Sequence, residues 1–238
     1  MRIGVLALQG SFREHEMMLK KLGIDPVLVK SKIDCESLDG LILPGGESTT
    51  ISDLMTLYGI DKEIITLHQK RIPLYGTCAG AIMLSTNPGS PKVQSLGLID
   101  ITTNRNGYGT QKDSFETELD IKWIGTFKGI FIRAPIITSF SEDINVLSEF
   151  NSTPVLLKKE NILISTFHPE LTDDTRIHEF FLQMVKNRLC PQSQGAASSR
   201  ASYQSNHHGQ EGWLRRRMSV ITNYYRKREA APCERMRD

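Results

Sequence analysis

Four short segments in the first 75 residues are apolar along almost their whole length: IGVLAL (3–8), PVLVK (26–30), GLILP (40–44) and IPLY (72–75). A strand with one face in water alternates apolar and polar residues, whereas a strand apolar throughout is covered on both faces. Segments of helical period lie between these runs. SFREHEMMLKKLG (11–23) has Ser11 as N-cap and Gly23 as stop. STTISDLMTLY (48–58) is a second helix, and DKEIITLHQK (61–70) a third, acidic at its start and basic at its end as the helix dipole favours. AGAIMLS (79–85) opens another. Buried strands alternating with helices specify a parallel sheet sandwiched between helical layers, so the chain is expected to be an α/β protein.

The middle of the chain changes character. GLIDIT, FETELDI, GIFIRAP and INVLSEF are short runs separated by turn residues, which predicts an antiparallel extension. PVLLKKENILISTF (154–167) reads as a hairpin turning at Lys159 to Asn161, and it delivers HPE (168–170) at its far end. DDTRIHEFFLQMVKNRL (173–189) is the closing helix, with an Asp cap and a basic last turn. These signals define a domain over residues 1–189.

Residues 190–238 form a polar and then basic tail. PQSQGAASSRASYQSNHHGQEG has the composition of a disordered linker, and WLRRRMSVITNYYRKR can form a basic amphipathic helix. From Pro191 onward nine Lys/Arg stand against four Asp/Glu, a charge of +5 within a chain of net +2, which leaves −3 for residues 1–190. A membrane-surface or nucleic-acid contact is thus conceivable for the tail and not expected of the domain; the plainer reading is an appended segment without fixed structure.

Cysteines occur at 35, 78, 190 and 233, with no C-x-x-C pair and no Cys/His cluster at metal-ligand spacing. Free thiols in a reducing cytoplasm are the expectation, and no metal site. IGVLAL is followed at once by Gln9 and Gly10, unlike a secretory core, and no apolar run approaches the roughly 18 residues of a membrane helix.

GTCAG (76–80) joins the strand IPLY to the helix AGAIMLS. Strand, G-x-C-x-G, helix is the cysteine form of a nucleophile elbow, in which a tight turn holds the nucleophile above the sheet edge. A β-carbon at Gly76 or Gly80 would collide with the neighbouring strand or helix. The helix that follows turns its free amides toward the sulfur, favouring thiolate and offering donors to an oxyanion. A cysteine at a strand end can equally be a small buried hydrophobe; the two flanking glycines argue for the nucleophile.

A thiol nucleophile needs a base, and the base needs an orienter. His15 and His68 fall within amphipathic helices, where a surface or half-buried role is expected; His178 lies in the closing helix, and His207 and His208 lie in the tail. His168 ends an apolar strand and precedes Pro169, which favours extended geometry for it. Two residues on, Glu170 faces the same side and can orient the ring. LPGGEST (43–49) adds Gly45 and Gly46, whose amides can turn toward a ligand, with Ser48 or Thr49 able to cap the next helix.

Taken in order, these elements resemble the class I (triad) glutamine amidotransferases, and within them the glutaminase subunits of pyridoxal 5′-phosphate synthase. IGVLALQGSFREHE, GLILPGGESTT, GTCAG, RNGYGTQ (105–111), FIRAP (131–135) and FHPEL (167–171) are similar to that family's signatures, over about residues 1–189. The resemblance implies a three-layer flavodoxin-like fold with a mixed, mostly parallel central sheet and a nucleophile elbow. It implies a Cys78–His168–Glu170 triad that hydrolyses L-glutamine through a γ-glutamyl thioester, with Gly46 and Ala79 as oxyanion donors. Gly46, Glu47, Ser48, Arg105, Ile132 and Arg133 match the family's glutamine-binding positions. It also implies no cofactor in the glutaminase, and a (β/α)₈ synthase subunit that receives ammonia through a tunnel, with Gln9 and Gly10 near the docking surface. Gly107 and Thr110 depart from the family loop, which touches loop packing or partner contact and not the triad. The rival readings are another cysteine-elbow α/β hydrolase, such as a γ-glutamyl peptidase, or a non-catalytic scaffold subunit.

Overall fold

The apolar runs become β1 (Ile3–Leu6), β2 (Val27–Val29), β3 (Gly40–Leu43) and β4 (Leu74–Thr77) in a computed structural model that describes residues 1–105 and 114–190. Gly107, Thr110 and the segment from Pro191 onward lie outside the described residues. Strand β4 is displaced two residues from the run IPLY, because pairing starts after Pro73, which has no N–H to donate. Helices α1 (Phe12–Lys21), α2 (Ser48–Leu57), α3 (Ile60–Gln69) and the short α4 (Ala79–Leu84) alternate with these strands.

The middle of the chain is antiparallel apart from one pairing. Strand β5 (Ser85–Asn87) pairs in parallel with β6 (Ile99–Asn104), which in turn pairs antiparallel with β9 (Ile136–Phe140). Strands β7 (Phe115–Ile121) and β8 (Gly125–Phe131) form a separate hairpin. Strands β10 (Asn145–Phe150), β11 (Thr153–Lys159) and β12 (Ile162–Ser165) return to the main sheet, and α5 (Arg176–Leu189) closes the fold. The main sheet has seven strands in the order β10-β11-β12-β4-β3-β1-β2; pairing is parallel from β12 through β2, and only the β10 and β11 pairings at one edge are antiparallel.

Alternation along the central strands sorts their side chains into two cores. Leu6, Leu41, Leu43, Leu74, Ile162 and Ile164 pack with Ile51, Met55, Ile64 and Ala81 of α2, α3 and α4. Ile3, Val5, Ile42, Tyr75 and Leu163 pack on the other face with Leu19, Ile177, Phe181 and Val185 of α1 and α5, and with Phe127 and Phe131 of the β7–β8 hairpin. Each such fully buried Leu, Ile or Phe contributes about 1.5–3 kcal/mol of burial. This explains why the central strands are buried along their whole length and polar only at Thr77 and Ser165, and it gives the expected α/β architecture with covered sheet faces.

Three helix starts differ from the sequence reading. Ser11 occupies the cap position of α1 but makes no cap hydrogen bond; its hydroxyl is used elsewhere. Helix α2 is capped by Glu47, which accepts from Thr50 N at 2.7 Å, and not by Ser48 or Thr49. Thr175 stands at the cap of α5, while Asp174, one residue upstream, takes the Arg176 amide at 3.1 Å. No helix among the described residues is long and apolar enough to cross a membrane.

Candidate active site

Four adjacent parallel strands, β12, β4, β3 and β1, run into the loops that carry His168, Cys78, Gly45–Glu47 and Gln9–Ser11. In an α/β sheet, ligands bind outside the carboxyl ends of the strands, and here those four ends converge. Cys78 N donates to Ser165 O at 2.8 Å, continuing the β4–β12 ladder one residue beyond Thr77, so the elbow and the strand leading to His168 are locked together.

At the elbow Cys78 has φ 48 and ψ −103, a conformation that L residues rarely adopt. Such a residue stores about 1–3 kcal/mol of strain, held in place by its surroundings. Both flanking glycines are required by close approach. A β-carbon at Gly76 would lie 2.7 Å from Gly80 C, and one at Gly80 would lie 1.9 Å from Leu43 O. The thiol is directed at the Ile132 carbonyl, with Sγ···O 3.9 Å.

His168 is fixed from both sides. Its backbone N–H donates to Ile130 O of β8 at 2.8 Å, and its Nδ1–H donates to Glu170 Oε1 at 2.7 Å. Glu170 reaches the ring from a single 3-10 turn, Pro169–Leu171, rather than from the extended strand that the sequence suggested. Burial opposes the imidazolium, but bonds to Cys78 and Glu170 outweigh it and raise the His168 pKa to about 10. Burial likewise opposes the Glu170 carboxylate, yet the His15 and His168 rings and the Ser11 hydroxyl hold its pKa down at about 2. His168 and Glu170 therefore favour an imidazolium–carboxylate pair beside the Cys78 sulfur.

A cleft of about 250 Å³ opens beside the sulfur and is lined by Gln9, Gly46, Glu47, Ser48, Cys78, Ala79, Ile82, Arg105, Ile132, Arg133 and His168. Every residue expected to bind glutamine lines this cleft, together with both expected oxyanion donors, while Glu170 stands behind His168. Arg105 Nη2 donates to Glu47 Oε1 at 2.7 Å, and its Nη1 donates to Thr49 Oγ1 at 3.2 Å. The Thr50 amide, with its hydroxyl and Arg105, lowers the Glu47 pKa to about 2. Arg133 takes φ 45, a strained backbone that turns the residue into the cleft wall.

Four contributors were not recognised in the sequence. Gln9, read there as part of a docking segment, lines the cleft and accepts the Glu47 amide at 2.7 Å. Ser11 donates to Glu170 Oε1 at 2.7 Å, and Ser11 N donates to Gly45 O at 3.0 Å. Thr77 Oγ1 accepts the Gly45 amide at 3.0 Å. His15, expected at a surface or half-buried position, is fully buried and lies against Thr77, Glu170 and His178, which is itself fully buried. The signal was the helical period: 15, 18 and 19 form one face of α1, and 178, 181, 182 and 185 one face of α5. His68 is only partly buried and contacts Asn161, away from this cluster. Among the described residues no group of three or more His, Cys, Asp or Glu side chains could hold a metal ion.

Residues 5–187 match the SNO glutamine amidotransferase family. The chain is 46% identical over 187 residues to the pyridoxal 5′-phosphate synthase subunit PdxT of Thermosipho africanus, covering 78% of this chain and 100% of that protein. It is 49% identical over 187 residues to PdxT of Pseudothermotoga lettingae, covering 78% of this chain and 96% of the relative. A crystal structure of a glutamine amidotransferase superposes with a TM-score of 0.75 at 45% identity, over 77% of this chain and 98% of that one.

Proposed function

The chain belongs to the SNO glutamine amidotransferase family, and from this we propose that it is the glutaminase subunit of a pyridoxal 5′-phosphate synthase, hydrolysing L-glutamine to glutamate and ammonia. The observation that carries the reading is the cleft in which Cys78, backed by His168 and Glu170, stands beside two arginines and a fixed carboxylate. That set is complementary to the amide, α-carboxylate and α-ammonium of one amino acid.

Arg105 and Arg133 take the α-carboxylate, Glu47 takes the α-ammonium, and Ser48 and the Ile132 backbone complete the site. The Cys78 thiolate adds to the carboxamide carbon, and the amides of Gly46 and Ala79 receive the oxyanion. The tetrahedral adduct collapses as the His168 imidazolium gives its proton to the departing nitrogen, leaving a γ-glutamyl thioester and ammonia. Neutral His168 then takes a proton from water. The resulting hydroxide adds to the thioester, expels the thiolate and leaves glutamate, with His168 again protonated. Glu170 keeps Nδ1–H directed toward itself throughout, so that Nε2 faces the reacting atoms.

Residues 1–189 form the catalytic domain in this reading. A (β/α)₈ synthase subunit docks on it and consumes the ammonia, in the cytoplasm.

The test is glutamine-dependent ammonia release with and without a synthase subunit, followed by mass-spectrometric location of an electrophilic glutamine-analogue adduct. Release that requires the partner, with the adduct on Cys78, is expected. Peptidase activity without glutaminase activity, or an adduct on another thiol, overturns the reading.

A further inference from the structure

Behind the triad lies a buried polar chain that the reaction outlined above leaves unused. It runs from Glu170 on the turn after β12, through His15 of α1, to His178 of α5. His15 Nε2 lies 3.1 Å from Thr77 Oγ1 and 3.4 Å from Glu170 Oε2; His15 Nδ1 lies 2.9 Å from His178 Nε2. We infer that His15 is a positioning residue for the glutaminase, holding the Glu170 carboxylate in the orientation that serves His168. The inference rests on the glutaminase reading.

The argument begins with the two oxygens of Glu170. Oε1 accepts from both Ser11 Oγ and His168 Nδ1, each at 2.7 Å. Oε2 is buried and makes no aligned hydrogen bond with the described residues; His15 Nε2 faces it at 3.4 Å. A carboxylate oxygen out of water and lacking a donor is costly, so the nitrogen opposite it must present a proton. If Nε2 instead presented its lone pair, two negative ends would oppose each other where little water screens them. The proton is therefore on Nε2, shared between Thr77 and Glu170.

That assignment fixes the rest of the chain. His15 Nδ1 is then an acceptor, and the group in reach is His178 Nε2, which must carry its own proton. His178 Nδ1 is left without a proton, consistent with its being buried and having no hydrogen-bond partner among the described residues. Burial keeps both rings neutral by lowering the His15 pKa and taking that of His178 to about 3.

Thr77 extends the same chain to the oxyanion side. It takes the Gly45 amide while Ser11 N donates to the Gly45 carbonyl, so Glu170 and the Gly45 peptide share their supports. His15 does not line the cleft, so its effect should fall on the chemical step and not on substrate binding.

The test compares two amides at position 15 in the full chain assembled with the synthase subunit. In His15→Gln the side-chain NH₂ reaches roughly where Nε2 stood; in His15→Asn it stops near Nδ1, toward His178. His15→Asn should lower kcat about tenfold or more with KM for glutamine within about twofold, and His15→Gln should retain kcat within about threefold. Equal kcat in the two variants, or a loss confined to KM, overturns the inference. A second measurement needs no variant. Long-range ¹H–¹⁵N spectra of the parent chain should show His15 and His178 both as neutral Nε2–H tautomers, and Nδ1–H at His15 would sink the proposal. If the parent assembly releases no ammonia from glutamine, it is the glutaminase reading that has failed.

Discussion

A β-carbon at Gly45 would lie 2.3 Å from Cε1 of His168 and 3.2 Å from Cβ of Cys78, so the loop after β3 is packed directly onto the catalytic pair. The imidazole cannot swing aside cheaply, because Glu170 holds its Nδ1 and the β8 hairpin holds its backbone. In Gly45→Ala the ring is displaced from Cys78 while the sheet is untouched. Ammonia release in the assembled complex should fall at least about a hundredfold, the scale of a misplaced catalytic group. Thermal unfolding of the variant should stay close to that of the parent.

Gly80 makes the opposite prediction. A β-carbon there meets Leu43 O at 1.9 Å and Leu43 C at 2.8 Å, which is backbone of a central strand with no flexible end to yield. Gly80→Ala should destabilise the fold by about 3 kcal/mol or more. Urea unfolding measures this directly. Activity in the fraction that remains folded should fall less steeply than in Gly45→Ala.

The contrast shows what was legible in the sequence. Apolar strands, helical stripes and the elbow are local patterns; they anticipated β1 to β3, put β4 two residues early, and set Cys78 and His168 just beyond strand ends, where the structure has them, because burial on both faces leaves little choice of residue. Ser11 resembled an ordinary helix cap, and only the chain's return 159 positions later supplies its partner, Glu170. His15 and His178 looked like helix histidines because a polar ring on an apolar stripe is ambiguous until its partner is known, and 163 residues separate the two. Thr77 sat inside the recognised elbow yet carried no signal, since its role depends on the amide of a neighbouring loop.

Arg105 divides its guanidinium between Glu47 and Thr49, a fork that an ammonium cannot reproduce. Neither contact reaches the sulfur, and in the proposed reading the residue acts on substrate binding. Arg105→Ala should raise KM for glutamine about tenfold, equivalent to about 1.4 kcal/mol, with kcat within about threefold. Steady-state kinetics of the complex decide it. A fall in kcat at unchanged KM would place Arg105 in the chemical step instead.

Stability should depend on pH in a manner set by three buried histidines that titrate in opposite senses. His168 has a folded pKa of about 10 against 6.5 for an ordinary histidine. Its contribution is therefore complete below 6.5 and is lost as pH rises from 6.5 toward 10. His178, at about 3 when folded, behaves inversely, and His15 is lowered in the same direction. Below 6.5 the unfolded chain binds protons that these two rings refuse in the fold, so stability falls as pH falls. Glu170 adds a further loss only in strong acid, between its ordinary 4.5 and about 2. The urea midpoint should thus be highest near pH 6.5 and decline on both sides, where these opposed contributions cross. His178→Phe should flatten the acid limb alone, because it removes a proton site from the unfolded chain. Cys78→Ala should flatten the alkaline limb alone, because it removes a group that raises His168. An acid limb equally steep in His178→Phe would mean that the ring at 178 accepts its proton within the fold.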